Sequence, residues 1–315
     1  MHVRVYGVQP DEMPTYEAAK EKYGFTFEFE KTPLSEETAD QVKGCEGLII
    51  LTNCHVTEPV AKTLAANGVK YIACRSAGSD HVDYAAVTKY GMQCAHVPAY
   101  APEAISEHTV MLALEVLRHA KLCARKVEEG DFTMAGLKGR QLGNLTAGVL
   151  GTGRIGRVTM SILNGFGTKV LGWDPFPNDA AAKLCTYVEK EELLKTADIV
   201  FLHCPLTDDS YHTINEETLA MMKPGAVLIN TARGGLVDLP AVLKALESGK
   251  LSGFGFDVHE NEVEFVRKKM PIDQIHDPVF KALLQRDDAI YSPHVAFYTD
   301  AAILNMIDVS LDNLK

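Results

Sequence analysis

The chain has 315 residues, long enough for two separately cored domains, because single cores usually stop growing near roughly 250 to 300 residues. Its 46% hydrophobic and 23% charged residues exclude a disordered or fibrous chain, and 31 basic against 42 acidic side chains, with no Lys/Arg-rich run, argue against nucleic acid or acidic membrane surfaces as partners. Seven cysteines without a CxxC pair, an opening His2-Val3-Arg4-Val5-Tyr6-Gly7 unlike a signal peptide, and no apolar run near the ~20 residues of a membrane span lead to the expectation of a reduced, cytoplasmic protein.

Up to about residue 97, β-rich runs alternate with helical patterns, with strands at Val3 to Tyr6, Thr26 to Phe29, Leu48 to Leu51, Tyr71 to Cys74 and Gln93 to Val97. Such alternation implies a parallel sheet. Pro98 and Pro102 break the pattern, and a proline-started helix is predicted from Pro102 to about Glu129, with Ile105, Val110, Leu112, Val116, Leu117 and Leu122 on its apolar positions. A second series follows, with strands near Ala147 to Leu150, Lys169 to Trp173, Ile199 to His203, Ala226 to Asn230, Gly253 to Val258 and Ala289 to Ser292. The last helical pattern, Thr299 to Leu314, is left over once the second sheet has its elements, and is expected to return to the first domain. The expected fold class is α/β in two domains. A Rossmann-type doubly wound parallel sheet occupies 100–297, and a smaller flavodoxin-like α/β substrate domain occupies 1–99 and 298–315. Two domains joined by two crossings have a cleft between them, a preferred place for small-molecule sites.

Gly151-Thr152-Gly153-Arg154-Ile155-Gly156 follows an apolar strand and opens a helical pattern, the context in which GxGxxG binds a dinucleotide. Gly151 allows the turn, Gly153 lets the backbone approach a pyrophosphate, and Gly156 permits close packing, while the helix N-terminus offers free N–H groups. Asp174 ends the next strand 18 residues after the third glycine, where a carboxylate accepts from ribose hydroxyls. With no basic residue in Pro175-Phe176-Pro177-Asn178, NAD is favoured over NADP. His203-Cys204-Pro205 closes a later strand and is expected to face the same cofactor.

Reduction of a 2-oxo acid requires a cation for the carboxylate and carbonyl, an acid for the forming alkoxide, and a group that keeps that acid charged. Arg233, in Asn230-Thr231-Ala232-Arg233-Gly234-Gly235, follows a strand and could meet a carboxylate bidentately. Glu262 lies past the strand holding Asp257, and His294 follows Ser292-Pro293. All three fall beyond carboxyl strand ends, where open α/β sheets bind ligands. Each alone has a plainer explanation as a surface cation, a solvated acid and a turn histidine. Eight of the eleven histidines, among them His55, His81, His108, His119 and His276, read as core or surface residues, and His203 and His259 as supports. No residue set is assigned to a metal.

The runs Leu150 to Arg157, Met222 to Asp238, Gly249 to Val258 and Ser292-Pro293-His294, four motifs in order over essentially the whole chain, closely resemble the D-isomer-specific 2-hydroxyacid dehydrogenase family. The segment between Glu262 and Ile290, and Phe297-Tyr298-Thr299, resemble its D-lactate and D-2-hydroxyisocaproate branch. The resemblance implies catalysis by Arg233, Glu262 and His294: Arg233 orients the substrate, NADH delivers hydride to the carbonyl carbon, and His294 donates a proton with Glu262 favouring its charged form. It also implies substrate contacts by Tyr100 and the backbone of Ala77-Gly78, and a cofactor lining of Arg154, Ile155, Cys204, Pro205, Thr231, Ala232, Arg233 and Asp257. A homodimer packed through the helix after Pro102 is a further implication.

For the substrate side chain the resemblance nominates Leu51, Tyr100, Phe297 and Met306, an apolar wall. Lactate-preferring relatives carry an aromatic residue at the position of Leu51, so leucine implies room for a branched or aromatic 2-oxo acid such as 2-oxoisocaproate or phenylpyruvate. Relatives acting on 2-oxoglutarate carry an arginine near a stretch that here reads Leu51-Thr52-Asn53. The alternatives are a D-lactate dehydrogenase acting on pyruvate, an NAD(H)-sensing corepressor-like binding protein, and a dehydrogenase for a phosphorylated hydroxyacid, which would want more cations.

Overall fold

The computed structural model describes all residues except Asp80 and 98–100, and the side chain of Asp11 is likewise left out. The described chain divides into two compact units, Met1–Ala101 with Tyr298–Lys315, and Pro102–Phe297.

The first unit runs β1 (His2–Tyr6), α1 (Met13–Tyr23), β2 (Thr26–Glu30), β3 (Gly47–Ile50), α2 (Glu58–Ala66), β4 (Tyr71–Cys74), α3 (Tyr84–Lys89) and β5 (Gln93–His96). Its parallel strands are ordered β2-β1-β3-β4-β5, the flavodoxin-like order. Gly47-Leu48-Ile49-Ile50 is buried at every position because helices cover both faces of a central parallel strand. At the edge, β2 alternates Phe with Glu, and both Phe27 and Phe29 meet the Tyr16 ring of α1 edge-on at 5.5 Å. Gly24, at φ +67°, closes α1 in the left-handed conformation a β-carbon disfavours.

The second unit runs α4 (Pro102–Leu117), α5 (Ala120–Glu128), β6 (Thr146–Leu150), α6 (Arg154–Gly165), β7 (Lys169–Trp173), α7 (Asp179–Ala182), β8 (Thr186–Tyr187), α8 (Lys190–Thr196), β9 (Ile199–Leu202), α9 (Glu216–Met221), β10 (Ala226–Asn230), α10 (Leu239–Glu247), β11 (Leu251–Phe256), α11 (Pro278–Gln285) and β12 (Ala289–Tyr291). The seven parallel strands are ordered β12-β11-β10-β9-β6-β7-β8, so the order reverses at β6, whose carboxyl end carries the glycine turn. Gly253 and Gly255 of β11 face α4: a β-carbon on Gly253 would overlap Val116, and one on Gly255 would come within 3.2 Å of Leu112. Their missing side chains let α4 lie close on the sheet. The remaining helix, α12 (Asp300–Asp312), is capped by Thr299 Oγ1 accepting from Ala302 N at 3.3 Å and buries Ala302, Ile303, Met306, Ile307 and Leu311 in the first unit.

Two elements correct the sequence reading. The helix expected to run unbroken to Glu129 ends at Leu117 and restarts at Ala120, because His119 turns left-handed at φ +53° and Arg140 N takes the Leu117 carbonyl at 3.0 Å. The short edge strand β8 was not expected. Two residues show no periodicity, and only pairing with Leu171 and Gly172 makes them a strand.

Candidate active site

The glycine turn joins β6 to α6. Gly151 adopts φ +97°, and a β-carbon there would sit 2.5 Å from Cys204 N, so only glycine allows this turn to lie against the end of β9. A β-carbon on Gly156 would overlap the Gly151 carbonyl oxygen, whereas nothing lies within 4 Å of one on Gly153. The turn is therefore closed on its inner side and open at Gly153, next to the first N–H groups of α6, where a helix N-terminus accepts phosphate. Arg154 is exposed beside it, Ile155 half-buried. The Ile155 carbonyl accepts from buried Ser106 Oγ of α4 at 3.0 Å. Asp174, at the end of β7, grips the turn: its Oδ2 accepts from Thr152 N at 2.7 Å and Thr152 Oγ1 at 3.2 Å, and its Oδ1 from Phe176 N at 2.9 Å. Thr152 Oγ1 also meets Tyr187 OH at 2.6 Å. An open Gly153, a free helix N-terminus and a carboxylate at the next strand end fit a dinucleotide.

At the end of β9, His203 Nε2 pairs with Thr159 Oγ1 of α6 at 2.9 Å, and burial lowers its pKa to about 4, so the ring is neutral. Burial likewise raises the Cys204 thiol, and Pro205 is exposed.

Beyond β10, buried Asn230 shapes the arginine turn, its Nδ2 donating to the Arg233 carbonyl at 2.9 Å and its Oδ1 accepting from Ala232 N at 3.1 Å. Thr231 Oγ1 meets Thr109 Oγ1 at 2.7 Å, and Thr109 in turn donates to the Ile105 carbonyl at 2.7 Å. Half-buried Arg233 donates through Nη1 to the Ala232 carbonyl at 2.8 Å. A β-carbon on Gly234 would overlap the backbone of His259 and Glu260, so the arginine turn abuts the segment that leads to Glu262.

His294 Nδ1 donates to Glu262 Oε1 at 2.6 Å, with both side chains 23% exposed. The contact engages Nδ1 and leaves Nε2 as the ring nitrogen not held by Glu262. His294 sits at φ +55°, rare for a residue with a β-carbon, and its N–H is shared between the Asp257 carbonyl at 2.8 Å and the Ser292 carbonyl at 2.9 Å. The loop is pinned by the Asp257 side chain, 1% exposed, which accepts from Ser292 Oγ at 2.5 Å, Val295 N at 3.0 Å and Ala296 N at 2.9 Å. His108 Nε2 joins them at 2.8 Å from Ser292 Oγ. On the other side, Glu262 Oε2 accepts from His259 N at 3.3 Å. His259 Nδ1 accepts from Asn261 N at 2.9 Å, so its proton is on Nε2, which donates to Asp277 Oδ2 at 3.1 Å. The phenol of half-buried Tyr291 is pushed upward by desolvation, then by the charges of Glu262 and Asp257, and stays neutral.

His108, read from sequence as core or surface, thus belongs to this network, as do Asn230, Thr109 and Asp277, which the sequence reading did not single out. Their only signal is position: each becomes a support through a contact with residues far along the chain.

The other nominated residues divide by unit. Phe297 lies perpendicular to His294 with ring centroids 6.3 Å apart. In the first unit, Leu51 is 6% exposed and packs where Gly7 has no side chain. Ala77 is exposed and Gly78 half-buried, its carbonyl accepting from Ser76 Oγ at 2.7 Å. Met306 is 1% exposed on the inner face of α12, and Tyr100 lies outside the described residues.

A sheet of this order, with a glycine turn at its reversal point and an arginine and a carboxylate-paired histidine at neighbouring strand ends, defines a nucleotide-dependent dehydrogenase. Residues 110–296 match the family described as D-isomer specific 2-hydroxyacid dehydrogenase, NAD binding domain. The chain is 38% identical to an aromatic 2-oxoacid reductase of Clostridium sporogenes, over 100% of this chain and 96% of that protein. It is 36% identical to a D-lactate dehydrogenase of Escherichia coli over the same shares. A solved D-2-hydroxyisocaproate dehydrogenase superposes with a TM-score of 0.89 at 36% identity, covering 99% of this chain and 95% of that one. The chain belongs to the D-isomer-specific 2-hydroxyacid dehydrogenase family, and it is an oxidoreductase with NAD as its cofactor.

Proposed function

We propose that the chain reduces a 2-oxo acid with a branched or aromatic side chain to the D-2-hydroxy acid, reversibly, with Arg233, His294 and Glu262 as its catalytic residues. The observation that carries this reading is the 2.6 Å pair of His294 Nδ1 and Glu262 Oε1 in a unit that matches an NAD-binding domain. Gly151 to Gly156, Asp174, His203 to Pro205, Thr231, Ala232 and Asp257 would hold NADH, which supplies the hydride when bound. Arg233 holds the substrate carboxylate and polarises the carbonyl. His294 gives its Nε2 proton to the oxygen that becomes the hydroxyl, and Glu262 stabilises the imidazolium that must exist before that transfer. Residues 1–99 and 298–315 form the substrate domain and 100–297 the NAD domain in this reading, with Ala77, Gly78 and Tyr100 on the carboxylate and Leu51, Phe297 and Met306 on the side chain.

The aromatic 2-oxoacid reductase and D-2-hydroxyisocaproate dehydrogenase relatives favour the larger substrates. The D-lactate dehydrogenase relatives favour pyruvate as the second reading. Initial rates of NADH oxidation with 2-oxoisocaproate, phenylpyruvate, pyruvate and 2-oxoglutarate separate the two, and a higher kcat/KM for pyruvate overturns the first. NADH binding without turnover of any of them would instead favour an NAD(H) sensor.

Seven cysteines without a CxxC pair support a reducing, cytoplasmic setting, and among the described residues no helix is long and apolar enough to cross a membrane. A homodimer is supported by large apolar side chains exposed along and just after the α4–α5 segment, namely Met111, Val127, Phe132 at 81% and Met134 at 86% exposure. Sedimentation of Phe132→Asp/Met134→Asp against the parent chain tests it, since an unchanged mass would place the contact elsewhere or nowhere.

A further inference from the structure

In the first unit, three potential metal ligands of different chemistry converge at the amino ends of the strands. His2 opens β1, Glu28 lies on β2, and Cys45 precedes β3. Their ligand atoms all lie within 4.8 Å of one another, and among the described residues no other set of three or more His, Cys, Asp or Glu does so. His2 Nε2 is 3.7 Å from Glu28 Oε2, and Cys45 Sγ is also 3.7 Å from that oxygen. A tetrahedral ion with bonds of about 2.0 to 2.3 Å holds its ligand atoms about 3.3 to 3.7 Å apart, so the two measured separations already suit it.

The backbone builds this arrangement. Parallel pairing places His2 beside Thr26 and Arg4 beside Glu28 on one face of the sheet, and Glu46 N donates to the His2 carbonyl at 2.9 Å, holding the Cys45 loop against β1. His2 Nδ1 lies 2.9 Å from Thr26 Oγ1. A hydrogen bond donated there puts the lone pair on Nε2, toward the other two groups, which is how supporting hydrogen bonds orient histidine ligands. Arg4 donates to the same Glu28 oxygen through Nη2 at 2.8 Å and Nε at 3.1 Å, which fixes the carboxylate in place. Both His2 and Glu28 are about four-tenths exposed, so an ion has a path in and a water can complete the shell.

We propose that His2, Glu28 and Cys45 form a zinc-class divalent cation site that ties the edge strand β2 to β1 and the entry of β3. Thiolate with imidazole selects a borderline-soft ion over magnesium or calcium. On binding, the Cys45 S–H bond breaks, an S–Zn bond forms and the proton leaves to solvent, with no change of oxidation state. Arg4 opposes the added charge, which places the affinity below that of all-cysteine structural sites. Because the site is at the amino ends of β1 and β3, away from the loop that follows β4, its effect falls on stability and not on turnover.

The test uses the full chain, stripped with chelator and titrated with cobalt chloride. Saturable one-to-one binding with a thiolate-to-cobalt charge-transfer band, displaced by zinc, is expected. The band should vanish in Cys45→Ser, persist in Cys123→Ser, and need at least tenfold more cobalt in His2→Gln, a half-exposed position whose loss leaves the unit folded. Zinc should raise the Tm of the parent chain but not of His2→Gln. A parent chain that gives no saturable band, or a band equally strong in Cys45→Ser or equally tight in His2→Gln, overturns the proposal.

Discussion

The ends of β9 and β12 both deliver a histidine to the carboxyl rim of the same parallel sheet, and the two are opposites. His203 follows β9 directly, its ring neutral against the hydroxyl of Thr159, with its pKa lowered to about 4 by burial. His294 follows β12 in a loop that bends through a left-handed residue and meets a carboxylate at 2.6 Å. Strand-end position gives each access to the region where ligands bind, but the partner decides the chemistry. A histidine beside a hydroxyl braces α6, whereas one beside a carboxylate has a single ring nitrogen engaged and the other left for a different partner.

Substitution at the two histidines should break this comparison in the most direct way. His294→Gln is expected to reduce kcat on the order of 10³-fold, the range for losing a general acid, with NADH affinity from fluorescence titration within threefold of the parent. Full activity in that variant would move the proton donor elsewhere. A smaller effect is expected at the partner: Glu262→Gln retains an acceptor for Nδ1 but removes the charge, for a loss of roughly 10- to 100-fold in kcat with KM for the 2-oxo acid little changed. A KM effect alone would make Glu262 a substrate contact. Below that comes Gly234→Ala, whose β-carbon cannot fit against His259 and Glu260. It should cost about tenfold in kcat by displacing the Glu262 segment, while far-UV circular dichroism stays unchanged; an unaffected rate would show that the segment gives way freely.

How much of this was legible in the sequence follows from how local each feature is. The glycine turn, Asp174 and the Asn-Thr-Ala-Arg run are contiguous or at fixed spacing, so they could be read directly, as could the alternation that makes both sheets. Glu262 and His294 gain their meaning only from a pairing across 32 positions, and the resemblance to a family supplied what spacing did not. The supports are harder still. His108 on α4 reaches Ser292 across 184 positions, and Thr109 reaches Thr231 across 122. Nothing in either local pattern separates these side chains from ordinary helix residues. The break at His119 was missed for the same reason, since the Leu117 carbonyl is taken by Arg140 from beyond the next helix. His2, Glu28 and Cys45 have no motif spacing at all; strand pairing alone collects them.

The smallest expected effect on turnover sharpens the comparison from the other side. If His203 is a brace, His203→Gln, which keeps a polar group within reach of Thr159, should leave kcat at saturating NADH within about threefold, because general acid–base roles cost far more when lost. Its signature should appear in stability against pH. The folded ring resists protonation down to about 4, whereas the unfolded ring takes a proton near its ordinary 6.5. Between those values the unfolded state binds more protons, so this residue destabilises the fold progressively as pH falls from about 6.5 toward 4, and has no such effect above 7. The glutamine variant lacks that dependence. Urea unfolding at pH 7.5 and 4.5 should therefore show the parent losing about 1 to 3 kcal/mol relative to His203→Gln over the interval. Parallel loss in both chains would mean that the ring is reached by water and protonates in place, and the contrast between the two strand ends would then rest on Glu262 alone.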